Sequence, residues 1–228
     1  MKFAIFSLDT SLVRAYRKII QKNFIYDEVK PDIVVSLGGD GTFLMAERRY
    51  PGIPKLLIRS SNICNKCDWD SLSPILDKLK RKEFRIEEHA KLEAHMKSEK
   101  RICVNDFVIR NKTPIHAIRF LFFVNGKQLE GELIGDGIVV ATPFGSTAYY
   151  YSITKSKFDS GIGIAFNNLS REIAHKIIDE HSTVGIEITR GDATFSYDNN
   201  PNIMILRTGD KVRVRKSHEV ARIVKIGK

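Results

Sequence analysis

A glycine-rich turn that contains one acid, Leu37-Gly38-Gly39-Asp40-Gly41-Thr42, follows a β-branched run and precedes a helix-forming stretch. Glycines at a strand-to-helix turn let phosphate oxygens approach backbone N–H groups and a helix N-terminus. Phosphate repels a carboxylate in such a place, so Asp40 indicates metal ligation or acceptance of a proton from an attacking hydroxyl. The pattern is neither the Gly-x-Gly-x-x-Gly fingerprint nor a Walker loop, because no lysine follows the glycines. A turn that is merely rich in Gly and Asp is the alternative.

A second cluster begins at Gly135-Asp136-Gly137 and continues into the hydroxyl-rich stretch Ala141–Tyr149. Small residues and hydroxyls at the start of a helix suit the ribose and base of a nucleotide. The alternative is a capped helix whose tyrosine packs against a sheet.

The first 85 residues alternate between strand-like and helix-like segments. Apolar residues at helical spacing predict a helix from Leu12 to Phe24, capped at Ser11, and a second amphipathic stretch from Ser71 to Lys82. The other predicted elements are a strand over 2–8, a strand Ile33–Leu37, a helix Thr42–Arg49 and a strand Lys55–Ile58. This rhythm predicts an α/β domain with a parallel, doubly wound sheet over residues 1–88.

After about residue 86 the pattern changes to short alternating runs, which predict a β-rich domain over residues 89–228. The predicted strands are Ala117–Asn125, Lys127–Leu133, Ile138–Ala141, Val184–Thr189 and Ala193–Tyr197. Asn125-Gly126 predicts one hairpin, and Thr208-Gly209-Asp210 predicts another between Ile203–Leu206 and Val212–Val214. The last strands could also return to the first domain.

The composition is that of a globular protein, with 228 residues, 43% hydrophobic and 28% charged residues, and a formal net charge of +10. This excludes a disordered chain. A basic surface attracts nucleic acid, acidic membrane or phosphorylated small molecules, and composition alone does not choose among them. The apolar runs are too short for a membrane span, and nothing resembles an export signal. We therefore expect a cytoplasmic protein with no membrane partner.

Three cysteines cannot form a disulfide framework in a chain of this size. Cys64-x-x-Cys67 could bind a metal with Cys103, His89 or His95, or could form a reversible disulfide. A single Cys-x-x-Cys pair is more often two packed thiols, so we expect no metal ligands among these residues.

Three motifs together carry a resemblance to a known family. The Gly-Gly-Asp-Gly-Thr turn, Asn105-Asp106, and Thr142-Pro143-Phe144-Gly145-Ser146-Thr147-Ala148-Tyr149 resemble, in this order and at these separations, the signature of NAD kinases. The first motif also occurs in diacylglycerol-type lipid kinases and, in a related form, in phosphofructokinases, whereas the third is more specific. The resemblance implies a doubly wound, Rossmann-like N-terminal α/β domain, a β-rich C-terminal domain and a dinucleotide site between them.

The resemblance also implies an activity, which is phosphorylation of the adenosine 2′-hydroxyl of NAD by ATP or another donor such as polyphosphate. It implies a divalent metal, Mg²⁺ or Mn²⁺, bound with the donor, and a homo-oligomer that is a dimer or tetramer. It implies no specific nucleic-acid partner. The alternatives are a lipid or sugar kinase that shares the first motif, and a non-catalytic dinucleotide- or RNA-binding protein.

The family's functional residues map onto this chain motif by motif. Asp40 resembles the proton acceptor, while Asn105 and Asp106 match an Asn-Glu pair that holds the adenosine portion. Asp198-Asn199-Asn200 resembles a later Asp-Gly motif, with Asn199 in place of glycine at a turn where asparagine tolerates positive φ. The phosphate-facing loop corresponds to Gly38, Gly39, Gly41 and Thr42, and the remaining dinucleotide contacts correspond to Asp136, Thr147, Ala148, Tyr149 and Ser152.

Two segments depart from the family pattern. Ser60–Trp69 replaces a glycine-rich stretch that ends in Leu-Gly-Phe-Leu, and the segment after Tyr151 lacks a longer, proline-bearing stretch. No substrate contact is transferred from these two regions.

Overall fold

The computed structural model describes residues 1–60, Cys67 and residues 71–227. The chain divides into two compact units, one formed by Met1–His89 with Val220–Lys228 and the other by Ala90–Glu219. Within the described residues, no helix is long and apolar enough to cross a membrane.

The helices are α1 (Thr10–Gln21), α2 (Asp40–Arg49), α3 (Leu76–Lys80) and α4 (Tyr149–Thr154), with 3₁₀ turns at Ser73–Ile75 and Phe144–Thr147. The strands are β1 (Lys2–Phe6), β2 (Ile25–Tyr26), β3 (Ile33–Gly38), β4 (Lys55–Arg59), β5 (Phe84–Met96), β6 (Glu99–Cys103), β7 (Asp106–Asn111), β8 (Ile118–Val124), β9 (Lys127–Gln128), β10 (Leu133–Ala141), β11 (Ile162–Leu169), β12 (Lys176–Ile178), β13 (Val184–Arg190), β14 (Ala193–Tyr197), β15 (Met204–Leu206) and β16 (Lys211–Ile226).

The first unit is an α/β structure around a parallel sheet in the order β2-β1-β3-β4-β16, which confirms the predicted fold class for this region. All six residues of β3 are buried. Such a strand reads as a continuous apolar run because both faces of a parallel sheet are covered. The order reverses between β1 and β3, which places the carboxyl ends of these two strands at a switch point.

Two helices of the first unit differ from the sequence prediction. The cap of α1 is Asp9, whose carboxylate accepts hydrogen bonds from the backbone N–H groups of Ser11 at 2.8 Å and Leu12 at 3.4 Å. Ser11 therefore lies in the first turn, and its hydroxyl also donates to Asp9. The stretch predicted as a helix over 71–82 is a 3₁₀ turn followed by the short α3, because Pro74 has no backbone N–H and cannot extend a helix from the residues before it.

The second unit is a largely antiparallel sheet in the order β15-β14-β7-β10-β8-β13-β16, which confirms the β-rich prediction. β10 pairs with β8 near its start, with β7 near its end and with β11 along its other edge. The core of this unit is mostly aliphatic, and its largest fully buried side chains include Phe107, Phe120, Phe122 and Phe195. The strands β5, β6, β7, β11 and β12 were not predicted from the sequence.

One of the two predicted hairpins is present and the other is wrong. Val124 pairs with Lys127 across Asn125-Gly126, and both turn residues have positive φ, as a mirror-image two-residue turn requires. Thr208–Asp210 instead connects two strands that are not paired with each other, since β15 pairs with β14 and β16 pairs with β13. The turn is held by Ile188, whose carbonyl oxygen accepts from Gly209 N at 2.7 Å. The strand predicted over Lys127–Leu133 is also wrong, because β9 ends at Gln128 and Leu133 begins β10.

Candidate active site

The glycine loop, which we define as Gly38–Thr42, joins the end of β3 to the start of α2. Gly39 occupies the cap position of α2 and supplies no side-chain hydrogen bond there. A Cβ atom at Gly38 would lie 2.1 Å from Oγ1 of the buried Thr42. Glycine is therefore required at position 38 by the packing of Thr42 inside the loop.

The position of the glycine loop in the first unit is that of a ligand site. It follows the carboxyl end of β3, and β3 lies beside β1 with Ser36 paired to Phe6. In open parallel sheets, ligands bind outside the carboxyl ends of the strands at the point where the strand order reverses. Asp40 lies half-buried at the first residue of α2, where a helix N-terminus favours anions.

A buried ion pair fixes the orientation of α2. Lys55 on β4 and Glu47 on α2 are both buried and form a salt bridge. Glu47 also accepts a hydrogen bond from the backbone N–H of Gly52 at 2.9 Å, and Lys55 donates to the carbonyl oxygen of Tyr50. Because a buried charge without its partner is strongly destabilising, this pair holds α2, and with it Asp40, in one place against the sheet.

In the second unit, Val104 and Asn105 connect β6 to β7, and hydrogen bonds hold their N–H groups on one edge and their carbonyl groups on the other. The carboxylate of Asp198 accepts from the N–H of Val104 at 3.1 and 3.0 Å and from the N–H of Asn105 at 2.7 Å. On the other edge, the Thr142 hydroxyl donates to the carbonyl oxygen of Val104 at 2.6 Å, and Thr142 N donates to the carbonyl oxygen of Asn105 at 2.9 Å. These hydrogen bonds on both edges fix the backbone conformation of Val104 and Asn105.

The side-chain oxygen of Asn105 is buried and has no hydrogen-bond partner within the described residues. Leaving such an acceptor unpaired is costly, so a buried polar atom without a partner calls for an explanation. A ligand that donates an N–H or O–H group to Asn105 would supply the missing bond.

Asp106, the next residue, is a buried carboxyl group close to Asp198. Burial and the negative charge of Asp198 raise the pKa of Asp106 to about 8. Burial also raises the pKa of Asp198, but the backbone N–H bonds from Val104 and Asn105 oppose that rise. Because these bonds favour the ionised form of Asp198, the proton of this pair resides on Asp106 at neutral pH.

The Thr142–Tyr149 loop follows β10 and begins α4. Thr147, Ala148 and Tyr149 are half-buried, and Ser152 is exposed with its hydroxyl 3.4 Å from the carbonyl oxygen of Ala148. The three consecutive tyrosines differ in burial, since Tyr150 is buried against Phe158 and Tyr151 is exposed.

Asp136 lies apart from the matched residues Asn105 and Asp106. Its carboxylate accepts hydrogen bonds from Asn111 at 3.1 Å and Asn168 at 3.0 Å. Gly137 pairs with Arg110 near one end of β7, whereas Ala141 pairs with Asp106 at the other end. At about 3.4 Å per residue, Asp136 lies roughly 17 Å along β10 from Ala141.

The turn after β14 differs in detail from the expectation that Asn199 takes a positive φ. The residue with positive φ there is Asp198, at +48°. Asn200 contributes to the same turn, because its amide donates to the Tyr197 hydroxyl at 2.6 Å and its side-chain oxygen accepts from Asn202 N at 2.9 Å. Asp198 and Asn200 thus make contacts within the protein that the sequence did not indicate.

Cys67 takes part in a disulfide, so the expectation of two packed thiols is wrong at this residue and the disulfide alternative holds there, whereas Cys64 lies outside the described residues. The Cys67 sulfur lies 3.6 Å from the carbonyl oxygen of Gly38. Cys103 is free and buried, and burial raises the pKa of its thiol well above the ordinary value. No group of three or more His, Cys, Asp or Glu side chains suited to a metal ion occurs in the described part of the chain.

Thr142 is a candidate functional residue to which the resemblance to the family assigned no role. It belongs to the third motif, but only its hydrogen bonds to the carbonyl oxygens of Val104 and Asn105 show that it connects that motif to the Asn105 segment. A threonine hydroxyl directly before a proline and a glycine turn was the only signal available in the sequence.

The comparisons with known proteins identify the family. A family model described as the ATP-NAD kinase C-terminal domain matches residues 104–226, which include Asn105, the Thr142–Tyr149 loop and Asp198. The NAD kinase of Sulfurisphaera tokodaii is 32% identical over 199 residues, covering 82% of this chain and 78% of that protein. The chain belongs to the NAD kinase family. The NAD kinase of Methanosphaera stadtmanae is 27% identical over 192 residues, covering 80% of this chain and 69% of that protein.

Solved structures of the NAD kinase family share the fold of this chain. Yeast NADH kinase in complex with NADH superposes with a TM-score of 0.85 at 18% identity, covering 100% of this chain and 83% of that one. An NAD kinase from Archaeoglobus fulgidus in complex with ATP gives a TM-score of 0.82 at 17% identity, covering 99% and 94%. At these identities, the likeness shows the fold of the NAD kinase family and extends over both units of this chain.

Proposed function

We propose that this member of the NAD kinase family transfers the terminal phosphoryl group of ATP to the 2′-hydroxyl of the adenosine ribose of NAD, giving NADP and ADP. The observation that carries the proposal is the buried, unpartnered side-chain oxygen of Asn105. It lies in the segment matched by the family model, on a backbone that Asp198 and Thr142 hold from both edges. Such an acceptor suits a donor group of the adenosine portion.

Asp40 is the proposed proton acceptor of this reaction. The 2′-oxygen attacks the terminal phosphorus, its proton passes to the Asp40 carboxylate, and the bond between that phosphorus and the bridging oxygen of ATP breaks to release ADP. Protein groups in such transfers act mainly by positioning and by stabilising charge. The glycine loop and the N-terminus of the ten-residue α2 offer backbone N–H groups to the phosphates, while the Glu47–Lys55 pair keeps Asp40 in place.

A divalent ion, Mg²⁺ or Mn²⁺, fits this arrangement as a partner of the donor phosphates. Mg²⁺ is usually held by one or two carboxylates together with substrate phosphates, and no larger cluster of ligands occurs in the described residues. Asp40 is the carboxylate that the glycine loop offers. When bound, the ion neutralises the charge that develops on the phosphates.

In the second unit, the proposed roles are binding roles. Asn105 accepts a hydrogen bond from the adenosine portion, Asp106 lies beside it in its protonated form, and Thr147, Ala148, Tyr149 and Ser152 provide further contacts to the dinucleotide. Asp198 acts mainly by holding the backbone of Asn105. Asn200 supports the turn that carries Asp198.

The acceptor and donor are tested together by incubating the protein with ATP or polyphosphate and, in separate reactions, NAD, a diacylglycerol and a sugar. We expect phosphate transfer to NAD alone, detected as NADP by a dehydrogenase that requires the 2′-phosphate. Transfer to the lipid or the sugar without NADP formation would assign the glycine loop to another kinase. NAD binding without transfer from any donor would assign the chain to the non-catalytic class.

The proposal includes assembly as a homo-oligomer, a dimer or a tetramer, in keeping with the family resemblance. Sedimentation of the purified protein at several concentrations measures this directly. A monomer at all concentrations that retains full activity would contradict this part of the proposal.

A further inference from the structure

Thr142 connects two parts of the proposed dinucleotide site through one buried hydroxyl group. That hydroxyl donates to the carbonyl oxygen of Val104 at 2.6 Å and accepts from the backbone N–H of Gly145 at 2.9 Å. The backbone N–H of Thr142 donates to the carbonyl oxygen of Asn105 at 2.9 Å. One residue therefore binds two consecutive carbonyl groups of the Asn105 segment and also forms the start of the turn that leads to Thr147.

The opposite edge of the same segment is bound by a single carboxylate. Asp198 accepts from the N–H groups of Val104 and Asn105, so each of these two residues has both its backbone N–H and its carbonyl oxygen hydrogen-bonded. Without the Thr142 hydroxyl, the acceptor side would keep only the bond from Thr142 N to Asn105. The direction in which the Asn105 side chain projects depends on this two-sided bonding.

The Thr142–Tyr149 loop also packs directly on Asn105. A Cβ atom at position 145 would lie 2.1 Å from the carbonyl oxygen of Asn105 and 2.6 Å from its Cα atom. Only glycine allows this approach, so the loop contacts the backbone of Asn105 directly, and it is bonded to the neighbouring Val104 through the Thr142 hydroxyl. Movement of one would change the position of the other.

We propose that Thr142 is a positioning residue for dinucleotide binding, whose hydroxyl fixes Asn105 and the Thr147–Tyr149 segment relative to each other before the ligand arrives. This inference rests on the proposed function, because it concerns how that site recognises NAD. Groups that are already ordered bind a ligand more tightly, since ordering them at the moment of binding costs free energy. Loss of the hydroxyl should therefore weaken the binding of NAD more than it slows the transfer step.

Three substitutions separate positioning from a general effect on the fold. Thr142→Val has nearly the same shape but lacks the hydroxyl, and Thr142→Ser restores the hydroxyl. Thr194→Val is the matched control, because the Thr194 hydroxyl also donates to a carbonyl oxygen of β7, that of Arg110 at 3.3 Å, near the far end of the strand from Asn105. For each protein, KM for NAD, KM for ATP, kcat and the midpoint of thermal unfolding are measured.

We expect Thr142→Val to raise KM for NAD by about tenfold or more, the size of effect that follows when a buried hydrogen bond is lost. We expect KM for ATP to stay unchanged and kcat to change by less than about threefold, with Thr142→Ser and Thr194→Val close to the wild type. An unchanged KM for NAD in Thr142→Val would overturn the proposal. So would an equal rise in KM for NAD and ATP, or a rise in Thr194→Val of the same size.

Two further measurements keep the test decisive. If Thr142→Val does not fold, Thr142→Ala takes its place with the same expected split between KM for NAD and KM for ATP. If the wild-type protein forms no NADP, the proposed function fails, and calorimetric titration with NAD then tests the positioning role by itself. Weaker NAD binding by Thr142→Val, restored by Thr142→Ser, supports the role, and equal binding by all variants overturns it.

Discussion

The carboxylate of Asp198 accepts a hydrogen bond from the backbone N–H of Asn105 at 2.7 Å, although the two residues are 93 positions apart in the chain. The same carboxylate also accepts from Val104 N. Asp198 therefore holds the backbone that carries Asn105, with its charge directed at protein N–H groups.

Asp198→Asn should weaken this support without removing the side chain. An amide oxygen at the Oδ1 position can still accept from Val104 N and Asn105 N, but both bonds lose the charge of the carboxylate and the NH₂ group lies against the Val104 N–H. We expect the free energy of unfolding to fall by about 1–3 kcal/mol, because hydrogen bonds to a charged group contribute more than hydrogen bonds to a neutral one. Urea unfolding followed by circular dichroism measures this loss, and equal midpoints for the variant and the wild type would show that the charge of the carboxylate adds nothing to stability.

Asp106 should make the stability of the protein depend on pH. Its pKa is raised from 3.8 to about 8 in the folded state, so between these values the folded chain holds a proton that the unfolded chain has lost. The free energy of unfolding should therefore fall as pH rises from about 4 to about 8 and then level off. Asp106→Asn keeps the shape but does not titrate, and it should flatten this slope.

The measurement for Asp106 is urea unfolding of the wild type and of Asp106→Asn over that pH range without ligand. Other groups titrate in both proteins, so the difference between the two curves isolates Asp106. Parallel curves would show that the carboxyl group has an ordinary pKa.

Asn105→Ala should separate binding from chemistry. If Asn105 contacts the adenosine portion equally in the ground state and the transition state, the substitution raises KM for NAD more than it lowers kcat. Steady-state kinetics of NADP formation at varied NAD concentration measure the split. Equal falls in kcat and in kcat/KM would instead assign Asn105 to the transition state.

The net charge of +10 leads to a prediction about nucleic acid. If the positive charge serves phosphorylated small molecules, duplex DNA or RNA should bind weakly and without sequence preference. That binding should collapse between roughly 50 and 200 mM salt, because it depends on the release of counterions. Fluorescence anisotropy with labelled duplexes checks this, and sequence-selective binding that resists salt would favour the nucleic-acid-binding alternative.

The fold class could be predicted from the sequence because its signals are local. β3 reads as an apolar run, the glycine loop follows it, and Asn125-Gly126 carries the positive φ values of a tight hairpin. Each of these depends on residues that are neighbours in the chain, so periodicity and turn chemistry are enough to find them.

Strand partners and the supports of the site could not be predicted in the same way. Nothing near Thr208–Asp210 indicates that β15 joins β14 while β16 joins β13. Nor does any local pattern show that Asp198 and Thr142 bind opposite edges of one segment, because β14, β7 and β10 are brought together only by sheet pairing. The motifs identified Asn105 and Asp40, and the structure shows what holds each of them.

The proposed chemistry depends most on Asp40, which Asp40→Asn tests by removing basicity while keeping size and polarity. The glycine loop should hold its conformation, because asparagine is also tolerated in turns, so NAD binding measured by calorimetry should change little. The decisive measurement is the rate of NADP formation at saturating NAD and ATP. The account predicts a fall of about 10²- to 10⁴-fold, the usual contribution of a positioned general base. A folded Asp40→Asn protein that forms NADP at a near-normal rate would contradict it.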